Sequence, residues 1–453
     1  MGPRPEPWHP DFEDRQRDKP LDLSWLIPND WDPALPDAPQ RIRQTLRAIV
    51  FDALLEAQGS DRYISYSRNK NRYGKGVRRY HGKLFVYSQV TAAVELGVRT
   101  GLIEHRKAPN HGPSGVQSTL RATELARTTI TLPRKEFQRG RTEEIRLKKD
   151  GVLSSYIDTE RTGRMRRQIR KINASLAETE ITIGPDAPGV TILGSVIEIW
   201  REKQPGKPTL TRLDMRLNQL HRPFLDDWAH GGRLYGHWVQ NCPKEIRPHL
   251  RIKGEATVEL DYAALHPCFL FADAGCVLAE GQDPYLIPRQ EGPIQWDRAI
   301  AKRAFNIMLN APNRQKAEGA IAEKCFPDPS SNNPRVSARQ MMHDIKAIHP
   351  RLGHLWHTGI GTHYQYRDSE MMVRVLLALL KANIQGIPIH DSVIVQRKHE
   401  ALVREVMEDS ARTEGVLNPA IRSTLLTEKR LTNGGGARPI FPPAALSRLL
   451  EGV

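Results

Sequence analysis

The sequence predicts a multidomain protein of the α+β class, in which helical segments precede an antiparallel sheet. Apolar residues recur at helical spacing over residues 39–54 and again over 297–311. Two β-prone stretches, 257–260 and 387–395, carry Asp261 and Asp391 at a strand end or turn. A chain of 453 residues with 39% hydrophobic and 26% charged content is long enough for two or three domains.

The amino-terminal part divides into two segments. Residues 1–38 are rich in Pro, Asp and Trp without a sustained period, which predicts an extended arm. Residues 39–130 contain a helix, a basic tyrosine-rich loop, a second helix at 88–100, and two β-prone segments around a turn-rich stretch. This order resembles the winged-helix domains of replication initiators. The resemblance implies a recognition helix at 88–100 and a wing at 105–118 that contact DNA.

Positive charge is concentrated in this region. The formal net charge is +15 and the pI about 9.7. Between Arg62 and Arg127 there are thirteen Lys and Arg against three Asp and Glu, a surplus of ten that makes up two thirds of the net charge. Such a patch favours a polyanionic partner, with Arg106 and Lys107 as candidate DNA contacts. The alternative is a small helical subdomain with a solvated basic face.

The next segment, 131–228, is basic and is predicted to be mainly helical. Arginines crowd around an apolar stripe after Arg161, which suits either a grip on a nucleic-acid backbone or a solvated helix face. Its residues 158–163 resemble the first motif of proofreading exonucleases. Because no later exonuclease carboxylates follow, Asp158 or Thr159 as a helix cap is the better interpretation, and no proofreading is expected.

Several classes of protein are disfavoured. No stretch approaches the roughly eighteen consecutive apolar residues of a membrane span, and the start does not resemble a signal peptide. We therefore expect a cytoplasmic protein of a bacterium, phage or mobile element, with no membrane partner. The four cysteines lack zinc-ligand spacing and are expected to be packed thiols. Residues 432–453 are predicted as a linker and a tail that can dock on a replication partner.

The segment 229–431 carries the chemistry. Asp261 follows a β-prone run, and Asp391 lies at the tip of a strand-turn-strand. Nucleotidyl transfer uses two Mg²⁺ ions roughly 3.5–4 Å apart, which two aspartates on adjacent strands can hold. The backbone carbonyl of Tyr262 is a further candidate ligand, and Mn²⁺ is an alternative ion. Each aspartate alone would more often be a capping or ion-pairing residue.

A predicted helix between the two aspartates carries a polar face. Arg298, Lys302, Asn306 and Asn310 recur every four residues and therefore share one side of the helix. Two cations on one face can neutralise and position an incoming triphosphate. In isolation, the pattern would equally fit a solvated basic stripe.

Four motifs in one order resemble the polymerase core of family A, the DNA polymerase I family, which also includes phage-type single-subunit RNA polymerases. GGRLYGHWVQNCPKEIR resembles an upstream motif of the family, ELDYAAL its motif A, the Arg298–Lys302 helix its motif B, and IHDS its motif C. The match covers about residues 231–395. It implies a palm with an antiparallel sheet and helical fingers at 229–431, with a thumb-like region at 131–228.

The resemblance also assigns roles to individual residues. It implies that Asp261 and Asp391 bind metals and that Arg298 and Lys302 bind the triphosphate. The remaining assignments concern nucleic acid and nucleotide. Arg233 would contact the minor groove of the template-primer, Gln240 and Asn241 would support it, His390 would lie near the primer terminus, and Asn306 and His266 would contact the nucleotide.

Departures from the family pattern leave the choice of sugar open. The third residue of motif C is Ser392, as in the RNA-polymerase branch, instead of Glu. His266 takes the place of the side chain that screens the 2′ hydroxyl, and it either excludes that group or is simply packed. Asn306 replaces the aromatic residue expected on the fingers helix.

The sequence therefore predicts a template-directed nucleic-acid polymerase that acts on a DNA template-primer and nucleoside triphosphates, with DNA synthesis favoured. The alternatives are an RNA polymerase or primase-like enzyme of the same fold, and a DNA-binding replication initiator or regulator with an inactive core. Primer dependence, the choice of DNA or RNA as template, and the oligomeric state stay open.

Overall fold

The computed structural model describes residues 19–424 except 32, 60–61, 75–78, 109–116, 133–139, 141, 205–206, 280, 290–294 and 328–332. It divides into two compact units. Of the described residues, the first holds those up to Glu143 together with Leu153–Ile157 and Gly189–Leu217, and the second holds Glu144–Val152, Asp158–Pro188 and those from Asn218 onward. No helix in the described ranges has the length and apolar character needed to cross a membrane.

The first unit combines helices with a four-stranded sheet. Its elements up to residue 143 are β1 (Lys19–Pro20), α1 (Gln40–Gly59), β2 (Ile64–Tyr66), α2 (Tyr87–Arg99), β3 (Ile103–Arg106), β4 (Ser118–Ala122) and α3 (Glu124–Thr129). The strand order is β1-β2-β4-β3, with β1 parallel to β2 and the other pairs antiparallel. Helix α2 can approach closely because a Cβ on Gly97 would come within 2.8 Å of Ile103 and 3.1 Å of Leu46.

Part of the predicted arm packs into this core. Trp25 and Trp31 are buried with the apolar residues of α1. The Asp52 carboxylate on α1 is fully buried, where it pairs with Lys19 and accepts a hydrogen bond from Trp25 Nε1 at 2.5 Å. Burial raises the pKa of Asp52, and the Lys19 charge partly opposes that effect. Lys19, Trp25 and Trp31 of the predicted arm thus pack against α1, whereas 1–18 lie outside the described residues.

The two helices and two strands of the predicted helix, helix, strand, turn, strand order are present as α1, α2, β3 and β4. Strand β2 was not predicted, since it lies in the basic loop between the two helices. The exposed positions of α2 include Glu95, Val98 and Arg99, and Glu95 forms an ion pair with Arg68 at 2.8 Å. Residues 109–116, the centre of the predicted wing, lie outside the described residues, so the winged-helix assignment stays a prediction.

The expectation that residues 131–228 are mainly helical is wrong. One long helix, α4 (Glu160–Ala177), lies among the strands β5 (Ile145–Lys149), β6 (Val152–Ser154), β7 (Ile181–Ile183), β8 (Val190–Leu193), β9 (Val196–Gln204), β10 (Lys207–Asp214) and β11 (Asn218–Leu225). Strands β10-β9-β8 form an antiparallel sheet of the first unit. Its inner face buries the β-branched Ile197 and Ile199, a strand pattern hidden in the sequence by its many charged residues. The described part of the segment consists of one helix and seven strands and is divided between the two units, so the structure gives no support to the prediction of a helical, thumb-like region.

The cap predicted for the α4 helix is confirmed. Thr159 is the N-cap, its hydroxyl accepts from the Thr162 amide at 3.2 Å, and the Thr162 hydroxyl accepts from the Thr159 amide at 2.9 Å. Asp158 instead forms an ion pair with Arg166 at 2.7 Å. These contacts account for the residues that resembled an exonuclease motif.

The second unit contains a central antiparallel sheet covered by helices. Its elements after β11 are β12 (Tyr235–His237), β13 (Leu250–Ile252), β14 (Glu255–Tyr262), α5 (Leu265–Asp273), α6 (Arg298–Asn310), α7 (Arg314–Cys325), α8 (Pro334–Ile348), α9 (Gly361–Lys381), β15 (Ile387–Ile389), β16 (Ser392–Gln396), α10 (Glu400–Arg412) and β17 (Ile421–Thr424). The sheet order is β15-β16-β14-β13-β7, and β17 pairs with β14. Helix α10 contacts β14, where Tyr262 Oη donates to the Met407 carbonyl at 2.6 Å.

Helices and sheets occur in both units, in agreement with the coarse expectation of mixed helix and sheet. The finer terms palm and fingers stay predictions. The predicted linker and tail, 432–453, lie outside the described residues.

Candidate active site

Asp261 lies on a strand of the second unit, and Asp391 lies in the turn that leads into the antiparallel neighbour of that strand. Asp261 is near the end of β14, and Asp391 directly precedes β16. Asp261 is the register partner of Ser392, and the Tyr262 amide donates to the Asp391 carbonyl at 3.4 Å. The two aspartates, distant in sequence, line the same cleft at this edge of the sheet, and the charge of Asp391 acts on Asp261.

The electrostatics of Asp261 indicate a carboxylate that lacks a compensating cation. Burial, followed by the negative charges of Asp391 and Glu259, raises the pKa of Asp261 to about 7, although Lys244 and Lys302 act in the opposite direction. Like charges at short distance disfavour ionisation of both groups. A bound cation would remove that penalty and return Asp261 to its ionised form.

Ser392 is held by a third carboxylate. Its buried hydroxyl donates to Glu259 Oε1 at 2.7 Å, and the same oxygen accepts from Arg247 Nη1 at 3.0 Å. Glu259 lies two residues before Asp261 on the same face of β14. Ser392, the predicted third residue of motif C, is therefore hydrogen-bonded to a glutamate from the adjacent strand.

Helix α6 presents the predicted polar face. Asp297 caps its first turn by accepting from the Ile300 amide at 2.9 Å, and the opposite side of the helix is buried through residues such as Phe305 and Met308. Arg298 and Lys302 are exposed, and their cationic ends lie 5.5 and 5.6 Å from the ring centroid of Tyr285. The buried Tyr285 ring thus sits beside both cations and stabilises them through cation–π contacts.

The predicted sugar-screening residue belongs to a hydrogen-bonded group. His266 Nε2 lies 3.0 Å from Asp368 Oδ2 and 3.2 Å from Arg233 Nη2. Arg233 Nε donates to the same carboxylate at 2.9 Å, and Asp368 is 1% exposed on α9. Asp368 therefore fixes the orientation of both His266 and Arg233.

The predicted nucleic-acid contacts of the second unit occupy different environments. The Gln240 side chain supports the local backbone, because it forms hydrogen bonds with backbone groups of Gly236, Leu234 and Pro388 at 2.9–3.1 Å. Asn241 is exposed.

His390 forms the turn between β15 and β16 with a positive φ of 58°. Burial, and then the charge of Arg233, lowers the pKa of His390, which is therefore neutral at pH 7. Its ring lies 5.3 Å from that of Tyr235 in an edge-on arrangement. Nδ1 is buried and finds no hydrogen-bond partner within the described residues.

A cleft of about 840 Å³ brings most of the predicted site together. Its lining includes the predicted residues Arg233, Asp261, Tyr262, His266, Arg298, Lys302, Asn306 and Asp391. Gln240, Asn241 and His390 are not part of this lining. Arg106 and Lys107 belong to the first unit, where both are exposed and Arg106 lies 4.2 Å above the Tyr63 ring.

Three further residues of the cleft region were missed by sequence reasoning. Asp368 is the partner of His266 and Arg233, whereas Asp283 and Arg422 line the cleft itself. Asp283 pairs with Arg298, and Arg422 is the register partner of Asp261 on β17. No sequence signal marks them, because each derives its place from a partner distant in the chain.

The residues present suit a hard divalent cation. Two carboxylates and nearby backbone oxygens are the donors that Mg²⁺ prefers, and Mg²⁺ keeps several waters or substrate oxygens as its other ligands. Within the described ranges, no cluster of three or more His, Cys, Asp or Glu side chains is placed to hold a metal. The fit therefore rests on the two aspartates and on the raised pKa of Asp261.

Comparison with known proteins adds little. No family model matches the sequence, and no curated protein matches it. Among solved structures, the chain is similar to the POL domain of Pol1 from M. smegmatis in complex with DNA primer-template and dNTP, at 11% identity and a TM-score of 0.30. The match covers 46% of this chain and 47% of that chain, so it spans about half of each.

Proposed function

We propose that this chain is a template-directed nucleic-acid polymerase that transfers nucleotides from dNTPs to a 3′ hydroxyl. One observation carries the proposal: two aspartates of adjacent strands and two cations of one helix face line the same cleft. Carboxylates can hold divalent cations and the basic side chains can bind phosphates, which together suit a nucleoside triphosphate with its metal ions.

Asp261 and Asp391 would hold the metal ions, with the Tyr262 carbonyl as a third donor. When bound, Mg²⁺ supplies charge neutralisation for the attacking 3′ hydroxyl and the leaving pyrophosphate. The raised pKa of Asp261 supports this role, because a buried carboxylate next to another gains most from a cation.

The cations on α6 would bind the triphosphate. Arg298 and Lys302 are exposed to the cleft, and Asn306 lies one turn further along the helix. Positioning by two charged donors favours in-line geometry before the bond forms. The Tyr285 ring supports Arg298 and Lys302, and it is itself packed against the Phe305 ring at a centroid distance of 5.4 Å.

His266 would select the sugar, and Asp368 would position it. The His266 ring lines the cleft while Nε2 is engaged by Asp368, so the ring is held in one orientation. A fixed ring discriminates by sterics better than a mobile one. Arg233, fixed by the same carboxylate, would contact the minor groove of the template-primer, supported by Gln240, Asn241 and the nearby His390.

The first unit would contribute affinity for nucleic acid. Arg106 and Lys107 are exposed at the end of β3, within the predicted wing. Contacts of this kind add phosphate affinity without reading sequence. A cytoplasmic location, a role in replication and a partner for the tail at 432–453 belong to the same proposal.

RNA synthesis is the second candidate function, and Ser392 favours it, because the RNA-polymerase branch of the resembled family has serine at this place. An inactive replication initiator is the third candidate. The proposal is tested by offering purified protein primed and unprimed DNA or RNA templates with dNTPs or NTPs, each with Mg²⁺, with Mn²⁺ and with a chelator. Metal-dependent extension with dNTPs is expected. Extension with NTPs alone would favour the second candidate, and DNA binding without any extension the third.

A further inference from the structure

Arg422 places an additional cation in the candidate cleft. It lies on β17, the last described strand, and pairs in register with Asp261 of β14. Its side chain is exposed and lines the cleft, as Arg298 and Lys302 do from α6. Because register partners project to the same face, Arg422 and Asp261 rise from the same side of the sheet.

The position of β17 is fixed from behind by another arginine. Arg404 of α10 donates through Nη1 to the Ile421 carbonyl at 2.7 Å and through Nη2 to the Ser423 hydroxyl at 2.5 Å. Arg422 lies between these two anchored residues, and its side chain is exposed in the cleft lining while those of Ile421 and Ser423 are half-buried. A strand held in this way fixes the backbone that carries Arg422.

Asp283 acts as the counter-ion of this group. Its Oδ2 accepts from Arg298 Nε, and its Oδ1 accepts from the Tyr285 amide at 3.0 Å. Burial by itself would raise the pKa of Asp283, but the Arg298 and Tyr285 hydrogen bonds and the charges of Arg298 and Arg422 lower it. The carboxylate is therefore ionised at neutral pH, between cations of helix α6 and strand β17.

We propose that Arg422, Arg298 and Lys302 together form the phosphate-binding subsite of the cleft, and that the Asp283 carboxylate occupies it until a nucleoside triphosphate displaces it. The inference rests on the proposed function and names the residues that take the terminal phosphates. A polyphosphate carries more charge and more acceptor oxygens than one carboxylate, and guanidinium groups bind phosphate through paired donors.

Binding of inorganic tripolyphosphate, measured by titration calorimetry on the full chain, tests the subsite without requiring catalysis. Arg422→Gln is expected to weaken binding about tenfold, the value of one charge-assisted hydrogen bond. Asp283→Asn is expected to strengthen binding several-fold, because the competing carboxylate is removed. Arg397→Gln is the matched control, since Arg397 is an exposed cation of the same unit outside the cleft lining, and it should bind like the unchanged protein.

Two results would overturn the inference. Equal affinities of the Arg422→Gln and Arg397→Gln variants would remove Arg422 from the subsite. Unchanged or weaker binding by Asp283→Asn would show that Asp283 organises the arginines instead of competing for them. If thermal unfolding shows that Arg422→Gln is not folded, Arg422→Lys is used instead. A loss of affinity from this charge-conserving change supports paired guanidinium contacts, and an unchanged affinity contradicts them.

Primer extension with the same variants separates this inference from the proposed function. Failure of the unchanged protein to extend any template would remove the polymerase proposal, while the tripolyphosphate titrations would still decide the subsite. If the unchanged protein extends, Arg422→Gln is expected to raise KM for the triphosphate about tenfold relative to Arg397→Gln. An unchanged KM would count against Arg422 as a triphosphate ligand.

Discussion

The two units use their charged side chains differently. In the first unit, part of the Arg62–Arg127 stretch is neutralised by carboxylates: Arg62 pairs with Glu56 and Arg121 with Glu104, each at 2.7 Å. In the second unit, Asp261 and Asp391 line the same cleft, and neither side chain forms an ion pair within the described part of the chain. A surplus of charge counted in the sequence is therefore a weak indicator of a binding region. Charges of one sign that the fold leaves without partners are a better one.

The strongest test of this contrast is removal of the second-unit carboxylates. Asp261→Ala or Asp391→Ala is expected to lower Mg²⁺-dependent extension of a primed template at least about 1000-fold, because several kcal/mol of charge stabilisation is lost. Retention of one aspartate should not compensate for removal of the other. DNA affinity, measured by fluorescence anisotropy, should change little.

Glu255→Gln provides a control on the same strand. Glu255 is at the start of β14, where it pairs with Lys398 at 2.6 Å outside the cleft lining. Its loss should leave extension within about twofold, since exposed pairs contribute little. Extension by Asp391→Ala at the level of this control would refute the metal assignment.

The cations opposite the aspartates should give the next largest effect. Lys302→Gln is expected to lower kcat/KM about 100-fold, because it removes a positioned charge from the triphosphate. Lys316→Gln, an exposed change on α7 outside the cleft lining, serves as the control. Equal values of kcat/KM for the two variants in steady-state kinetics would indicate that the basic face of α6 is only solvated.

A smaller change is expected in sugar selection. His266→Ala should increase ribonucleotide incorporation relative to deoxyribonucleotide incorporation about tenfold, the usual scale of one steric contact. Asp368→Asn should move the ratio in the same direction, because it releases the His266 ring. Competition assays with both nucleotide types give the ratio, and a ratio unaffected by His266→Ala would leave the histidine as a packed residue.

In the first unit, only cations that the fold leaves exposed should affect nucleic-acid binding. Charge reversal at Lys70, Arg99 and Lys107, all exposed, is expected to reduce the slope of log K against log salt by about 0.9 for each phosphate that the protein no longer neutralises. Arg41→Glu, an exposed change on α1 outside the basic stretch, should leave the slope unchanged. An unaltered slope in the triple variant would show that this surface does not bind phosphates.

The least perturbing test concerns stability against pH. The pKa of Asp261 is raised from an ordinary 3.8 to about 7, so the folded protein binds a proton that the unfolded chain has already released in this window. Stability should therefore fall as pH rises from about 4 to about 7 and stay lower above it. The free energy of unfolding in urea should therefore differ between pH 5 and pH 8. Asp261→Asn should lack this difference, and Glu255→Asn should retain it. Equal pH dependence in all three proteins would contradict the raised pKa.

Parts of the fold followed from local patterns. The apolar spacing of residues 39–54 predicted α1, and the polar residues before an apolar stripe predicted the Thr159 cap of α4; both are present. Helical periodicity and capping depend on neighbours three or four residues apart, so they can be read from one segment. The sheet β8–β10 was missed because dense Arg, Lys and Glu outweighed its alternation of Ile197 and Ile199.

The candidate site was only partly foreseen. Motif order singled out Asp261, Asp391, Arg298 and Lys302, and the cleft brings these four together. Their roles stay proposals. The same motifs assigned Gln240 a supporting place near nucleic acid, whereas its side chain bonds to backbone groups around β12 and β15.

The sequence by itself determined the helices with clear apolar stripes, the identity of the acidic and basic candidates, and the overall positive charge. Only the tertiary structure decided which charges meet: Asp261 with Asp391, His266 with Asp368, and Arg298 with Asp283. The physical reason is that electrostatic interaction depends on distance in space and on burial, and neither quantity is contained in the spacing of residues along the chain.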